Sequence, residues 1–424
     1  MAGVVIVGAG QAGAQLAISL REHAYAGGIT LIGDEQHPPY QRPPLSKDYM
    51  AGDLPDSDLL FRGVDFYERE RIDLLTGARV ESIQRDERTV TLADGRRIAY
   101  DRLVLATGTR NRQLAFDGGM PGNVHSLRTR DDAERLRSAL EGVRRVTIVG
   151  AGFIGLEFAS VAAGAGAQVT VVEMAPRVMA RAVSPQLSSY FTERHRANGV
   201  DIRCASAIAE FVRDAGGRID AVRIGDERIP TDLVLVGIGV IANAEIAEAA
   251  GLAVDDGIVV DAHLRTADPR IHAIGDCARH PRPDAVGFVR VESVQNAADQ
   301  ARHVARTLTG ADAEYGDVAW FWSHQAGDKL QIAGLAQPED AVVVVGDPAS
   351  PTRRFSACRL RDGALVAVES VNSAGDHLAA RRILSGGLRV SEEQVRAPGF
   401  TLREALSTTH APRPAREHTL ERTA

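Results

Sequence analysis

The chain has 424 residues, 44% of them apolar and 25% charged, the balance of a globular protein with room for roughly two to four domains. A formal net charge of −7, with no block of Lys or Arg, argues against general nucleic-acid binding. No apolar run reaches bilayer-spanning length and no basic leader with a cleavage-site pattern opens the chain, so cytoplasmic placement without membrane insertion is expected.

The first predicted element is "VVIV" from Val4, a continuous β-branched run suited to a central parallel strand buried on both faces. It leads into Gly8, Gly10 and Gly13, the Gly-x-Gly-x-x-Gly spacing of a dinucleotide cradle. Gly8 allows the tight turn, Gly10 lets the backbone approach a pyrophosphate, and Gly13 lets the helix "AGAQLAISLREH" pack on the strand. The first amides of that helix then face the phosphates. A second strand, "ITLIGDE", closes on Asp34, 21 residues past Gly13, where an acid accepts hydrogen bonds from a ribose. Further on, "YDRLVLATGTRNR" reads as a strand running into Ala106-Thr107-Gly108, a small-residue crossing where two backbones pass closely.

The whole unit recurs as "RVTIVGAGFIGLEFASVAAGAGAQVTVVEMAPRV", with Gly150, Gly152 and Gly155 in the glycine positions and Glu173 following 18 residues after the last of them. An acid there binds the free 2′-hydroxyl of NAD and repels the 2′-phosphate of NADP, which favours NADH over NADPH. Arg177 and Arg181 follow, with three roles open to them: lining the pyrophosphate, facing solvent, or tolerating the extra phosphate. From Asp232, "DLVLVGIGVIANAEIAEAAGL" ends this unit as the first one ended, in a strand and a glycine turn that contains Gly239. The order is nested: first domain, inserted second domain, return to the first.

The return is "TADPRIHAIGDCARH", a strand ending at Gly275 and Asp276, followed by the helix "VESVQNAADQARHVARTL". Asp276, between strand end and helix, suits a polyhydroxyl chain such as ribityl, or is a plain Asp-containing turn. Arg302 and Arg306, at i and i+4, present one basic face, with Arg279 and Arg282 on the loop after Asp276. From Ala319 the character changes: "AWFWSHQAGDKLQIAGL" holds both tryptophans, and "AVVVVGD", "TRRFSACRL" and "ALVAVESV" read as strands of a small antiparallel sheet with an "RDG" turn. The helical "SAGDHLAARRILSGG" follows, and the polar tail from His410 is expected to fray.

Cys204, Cys277 and Cys358 stand far apart without a CxxC pair, and the histidines (His23, His37, His125, His195 and His303 among them) lack HExxH or paired spacing. No metal site is expected. Residues 35–60 contain no thiol, which disfavours a disulfide reductase.

Taken together, the two cradles, "RPPLSK", "YDRLVLATG", "GFIGLE", "GIGV", "AIGDCA", "ESVQNAADQA" and "WFWSHQ" resemble, in that order, ferredoxin reductases of the putidaredoxin-reductase type. That group includes rubredoxin reductases and the reductase subunits of aromatic-ring dioxygenases, and the likeness runs from Val4 to about Leu406. It implies an α/β fold of two Rossmann-like nucleotide-binding domains plus a C-terminal α+β domain, arranged as in flavoprotein disulfide reductases. The FAD-binding domain would comprise residues 1–110 and 241–318, the NAD-binding domain 111–240, the C-terminal domain 319–409 and the tail 410–424.

The resemblance further implies FAD in the first cradle, held by Gly8, Gly10, Ala12, Gly13, Asp34, Arg42, Lys47, Val80, Ala106, Arg128, Asp276 and Val294, with Trp322 near the isoalloxazine. NADH would use Gly150, Gly152, Gly155, Glu157 and Glu173, with Gly239 also among the cofactor-binding residues. Lys47 and Glu157 are the pair expected to set the electrostatics of flavin reduction. The implied activity carries hydride from NADH to FAD and then single electrons to a small acidic ferredoxin, preferably [2Fe–2S], that supplies a haem-thiolate monooxygenase. Docking is assigned to Arg302 and Arg306. A dioxygenase reductase component, a rubredoxin reductase and an NADH oxidase are the alternatives. His324, Ala326 and Ala242 depart from the family's usual Asp, Tyr and Pro, which bears on the flavin edge and on partner choice.

Overall fold

In the computed structural model, which describes residues 3–282 and 287–408, the opening apolar run forms strand β1 (Gly3–Val7) at the centre of a parallel sheet. On one side of it lie β2 (Ile29–Ile32) and β3 (Ile72–Leu75), and on the other the long β6 (Arg97–Leu105). β4 (Val80–Gln84) and β5 (Thr89–Leu92) add to the early half of β6 antiparallel, while Ile271–Ala273 adds parallel to its later half. Val5, Ile6, Leu103, Val104 and Ile271 are all buried, so the parallel part of the sheet is covered on both faces. Helix α1 (Gln11–Glu22) packs on β1 and β2 and against the helix Val294–Leu308.

The chain leaves this sheet through β7 (Thr109–Asn111) and builds a second one. Its strands are β8 (Val124–His125), β9 (Arg145–Val149), β10 (Gln168–Val172) and β11 (Asp201–Arg203). β12 (Glu210–Arg213), β13 (Ile219–Ile224) and β14 (Glu227–Pro230) make a separate antiparallel layer, and β15 (Leu233–Val236) returns to the parallel sheet in the order β11-β10-β9-β15-β8. β16 (Val240–Ala242) then pairs antiparallel with β7, so the outgoing and incoming crossings lie side by side. Thr107 Oγ1 donates to Asn243 O at 2.6 Å and Asn243 Nδ2 donates to Thr107 O at 2.9 Å, which fixes the crossing from both chains. The repeat seen in the sequence is therefore two sheets of one pattern, the second inserted into the first.

Two compact units divide between Lys329 and Leu330, so the strand Trp320–Gln325 belongs with the first unit. In the second unit the strand order is 330–334 (the part of the strand Asp328–Gly334 that lies past the division), Ala364–Val371, Phe355–Arg361, Ala341–Gly346, antiparallel throughout. The "RDG" turn is a tight hairpin with Asp362 and Gly363 both left-handed, at φ 50° and 71°. A buried ion pair, Arg359 Nη1 to Glu369 Oε1 at 2.7 Å, joins the two central strands, and the helix Ala374–Ser385 covers that sheet. The tail 410–424 lies outside the described residues.

Candidate functional site

Each glycine of the first cradle has a separate physical task. Gly8 has φ +111°, and a Cβ there would sit 2.1 Å from Ala106 O; a Cβ on Gly13 would sit 1.8 Å from Gly8 O. Those two positions admit no side chain because backbone already fills the space. Gly10 differs, since a Cβ there would meet nothing within 4 Å. Its open face, at the start of a helix whose first amides have no side-chain cap, is shaped to receive an anion. By contrast, the helices at Arg130, Pro185 and Val294 are capped by Thr129, Ser184 and Ser293. The cradle thus fits the diphosphate of a dinucleotide.

Around this cradle the structure gathers several of the expected residues. A Cβ on Gly275 would lie 3.0 Å from Ala12 Cβ, which puts Asp276 at the mouth of the first helix. Arg128 Nη2 reaches Asp276 Oδ2 at 3.2 Å, and Arg128 Nε donates to Thr109 O at 3.0 Å. Arg42 donates to Arg128 O at 2.6 Å and pairs with Glu35 at 2.5 Å, while Tyr40 donates to the same carboxylate at 2.5 Å. Burial and the neighbouring Glu35 push the Tyr40 hydroxyl far up, so it stays a donor. Asp34 stands exposed at the end of β2. Val80 is buried in the first core at the start of β4, and Val294 opens its helix directly after the cap Ser293. Sequence reading overlooked Glu35 and Tyr40; an acid beside Asp34 and a tyrosine two residues before Arg42 were the available signals.

Lys47 and Glu157 meet. Lys47, from the Pro-rich loop of the first domain, places Nζ 2.7 Å from Glu157 Oε2, on the helix Phe153–Gly164 that follows the second cradle. Glu157 is 2% exposed. Ser46 Oγ donates to its Oε2 at 2.5 Å and Ser323 Oγ to its Oε1 at 2.6 Å, so with Lys47 the buried carboxylate has three donors. Neither serine was singled out in the sequence, although strand alternation in "WFWSHQ" puts Phe321, Ser323 and Gln325 on one face. Phe321 and Phe153 touch at 4.4 Å between ring centres. On the alternate face, Trp322 is half-buried with its ring 5.6 Å from that of Trp320, and His324 is exposed. Partial desolvation by its neighbours and the lysines Lys329 and Lys47 hold the His324 imidazole below its usual range.

The second cradle repeats the first in detail. Gly150 has φ +100° and would press a Cβ to 2.4 Å from Gly237 O; Gly155 would press one to 2.3 Å from Gly150 O; Gly152 faces open space at an uncapped helix start. Glu173 directly follows β10 and accepts two backbone hydrogen bonds, from Ala151 N and Ala175 N, both at 2.7 Å. The two bonds hold its carboxylate beside the second cradle. Arg177 is committed to the protein: it donates to Val183 O, Ser188 Oγ and Ala180 O, each at 2.7 Å, and so lines no phosphate.

The expected basic patch is smaller than the sequence implied. Arg282 is buried and donates to Asp317 O at 2.9 Å, so it offers no docking charge. Arg279 pairs with Asp255 at 2.6 Å and Arg302 with Asp299 at 2.9 Å. Arg306 is exposed with no acidic partner among the described residues. Cys277 is buried, its thiol directed at Ile274 O and Leu105 O, and burial pushes it up: it is a packing residue. Among the described residues no group of His, Cys, Asp or Glu could hold a metal ion, and no helix is long and apolar enough to cross a membrane.

Comparison with known proteins agrees with this geometry. The pyridine nucleotide-disulphide oxidoreductase family model matches residues 2–301, and the reductase C-terminal model matches residues 320–406. Rhodocoxin reductase of Rhodococcus erythropolis is 46% identical over 405 residues, covering 95% of this chain and 94% of that protein. The ferredoxin reductase of the CYP199A2 system from Rhodopseudomonas palustris superposes with a TM-score of 0.92 at 47% identity, over 96% of this chain and 100% of that one. The reductase of the covalent putidaredoxin reductase–putidaredoxin complex superposes with a TM-score of 0.93 at 39% identity, over 97% and 99%. The chain belongs to the pyridine nucleotide-disulphide oxidoreductase family, within its group of flavin-dependent ferredoxin reductases.

Proposed function

We propose that this chain is a cytoplasmic NADH:ferredoxin oxidoreductase, with FAD in the first cradle and the nicotinamide nucleotide in the second. On this reading residues 1–110 with 241–318 form the flavin domain and 111–240 the nucleotide domain, ahead of a C-terminal domain over 319–409. The observation that carries the reading is the Lys47–Glu157 pair, which ties the loop of one cradle to the helix of the other at 2.7 Å. FAD, when bound, supplies the conversion between a two-electron hydride and single electrons. Everything else is the work of this chain's residues. Gly10 and Ala12 offer amides to the flavin diphosphate, and Asp276, steadied by Arg128, accepts hydrogen bonds from the ribityl chain. Glu157 holds the Lys47 ammonium in place, so with the flavin bound a fixed cation would be at hand to stabilise negative charge on the reduced ring. Hydride transfer needs no general base, and none is assigned. Glu173 favours NADH by repelling a 2′-phosphate.

The acceptor is a small acidic [2Fe–2S] ferredoxin of a haem-thiolate monooxygenase, docking beside Trp322 and meeting Arg306 and Arg302. A panel of purified redoxins assayed with NADH tests this. Fastest turnover with a [2Fe–2S] ferredoxin, weakened by rising ionic strength and by Arg306→Glu, supports it. A rubredoxin or Rieske-type preference would assign the alternative partners. Oxygen turnover equal to redoxin turnover at every ionic strength would make the chain an NADH oxidase.

A further inference from the structure

Two arginines from separate segments meet at one glycine of the second cradle. Arg112 follows β7, and its backbone N–H donates to Gly239 O at 2.9 Å. Arg181 stands in the loop after β10. A Cβ on Gly239 would lie 3.4 Å from Arg181 Nη2 and 3.9 Å from Arg112 Cδ and Nε, and φ of +101° bars a side chain there in any case. Both arginines are exposed, and neither guanidinium has a hydrogen-bond or acidic partner among the described residues.

The loop that presents Arg181 is not loose. Arg177 pins it from within through three hydrogen bonds, and Met179 N–H donates to Ala151 O at 2.9 Å, which ties it to the cradle itself. Gly239 follows β15, and Gly237 O abuts Gly150, so the arginines flank the crevice between the ends of β9 and β15. That crevice, where the order of the parallel strands reverses, is where such sheets take their ligands. Two unpaired cations converging on it repel each other unless an anion lies between them.

The position also says which anion. Glu173 directly follows β10, which lies on the far side of β9, about 10 Å from β15 at two strand spacings. A 2′-phosphate on the adenosine ribose would lie by Glu173, whereas a diphosphate crosses β9 toward β15. We infer that Arg112 and Arg181 clamp the diphosphate of the nicotinamide dinucleotide from the side opposite the Gly152 amides. The inference rests on the second cradle being the nicotinamide site.

The test uses the flavin-loaded full chain with Arg112→Gln, Arg181→Gln and the double variant. KM for NADH and for NADPH, with ferricyanide as acceptor, should rise alike by about tenfold per arginine, the effect of losing one charge-assisted contact. Equilibrium binding of ADP-ribose should weaken by the same factor, with flavin content and melting temperature unchanged. Unaltered ADP-ribose affinity overturns the clamp. A loss confined to NADPH overturns it too, by assigning the arginines to a 2′-phosphate. Wild-type chain that binds neither NADH nor ADP-ribose would instead sink the reading of the cradle beneath it.

Discussion

Replacing Lys47 by Met removes the cation paired with a carboxylate that remains 2% exposed, the one ion-pair partner of Glu157 among the described residues. At 2.7 Å the attraction is about 6 kcal/mol for an effective dielectric near 20, and desolvation of the two charges offsets a large part of it. What the variant loses is more than the net worth of the pair, because Glu157 stays behind with two serine hydroxyls and no counter-charge. About 3 kcal/mol of stability should go, the low end for a broken buried pair, since those hydroxyls still solvate the carboxylate. Flavin reduction by NADH should slow by about ten- to hundredfold, the effect of deleting one fixed electrostatic contact. Denaturant unfolding and single-turnover reduction read the two effects separately. The double variant Lys47→Met/Glu157→Gln separates them further: with both charges gone it should recover most of the stability while reduction stays slow. A double variant no more stable than the single one, or reduction at the wild-type rate in either, would refute the reasoning.

Gly10→Val projects its side chain into the open face of the first cradle, so the chain should fold yet fail to retain FAD, as flavin content after reconstitution would reveal; Gly152→Val should keep FAD and lose NADH binding. Glu173→Ala should narrow the NADH-over-NADPH preference about tenfold or more, measured as the ratio of kcat/KM, by removing the charge that faces a 2′-phosphate. His272 is 2% exposed with both ring nitrogens unpartnered, and burial together with Arg265, Arg102 and His303, against Asp261, pushes it from 6.5 down to about 4. The unfolded chain therefore binds more protons than the folded one in that window, and stability is complete above pH 6.5 and lost as pH falls toward 4. The shift amounts to about 3 kcal/mol. His272→Leu should flatten denaturant midpoints over that range.

The cradles were legible in the sequence because two of their three glycines are demanded by backbone collisions that no other residue survives. Gly13 and Gly155 each face the carbonyl of an earlier glycine five residues away, so the constraint is local and leaves a local signature. The Lys47–Glu157 pair was reachable only through family resemblance, since nothing nearby in the chain predicts that the two residues meet. Ser323 stands 166 residues from Glu157 and carries no signal beyond strand alternation. Arg282 and Arg177 misled for the opposite reason: charged residues in loops read as surface, yet one is buried against a carbonyl and the other is consumed by its own loop. Side-by-side pairing of β7 and β16 was likewise invisible, although both ends of the insertion were marked by small residues.

The central claim is that reducing equivalents pass from the second cradle to a flavin in the first and leave one at a time. Anaerobic titration of the FAD-reconstituted chain with NADH, followed by oxidised [2Fe–2S] ferredoxin, tests it most directly. The yellow flavin should bleach with one equivalent of NADH and recover its colour as two equivalents of ferredoxin are reduced. A chain that stays colourless after reconstitution, or a yellow one that NADH does not bleach, would contradict the account.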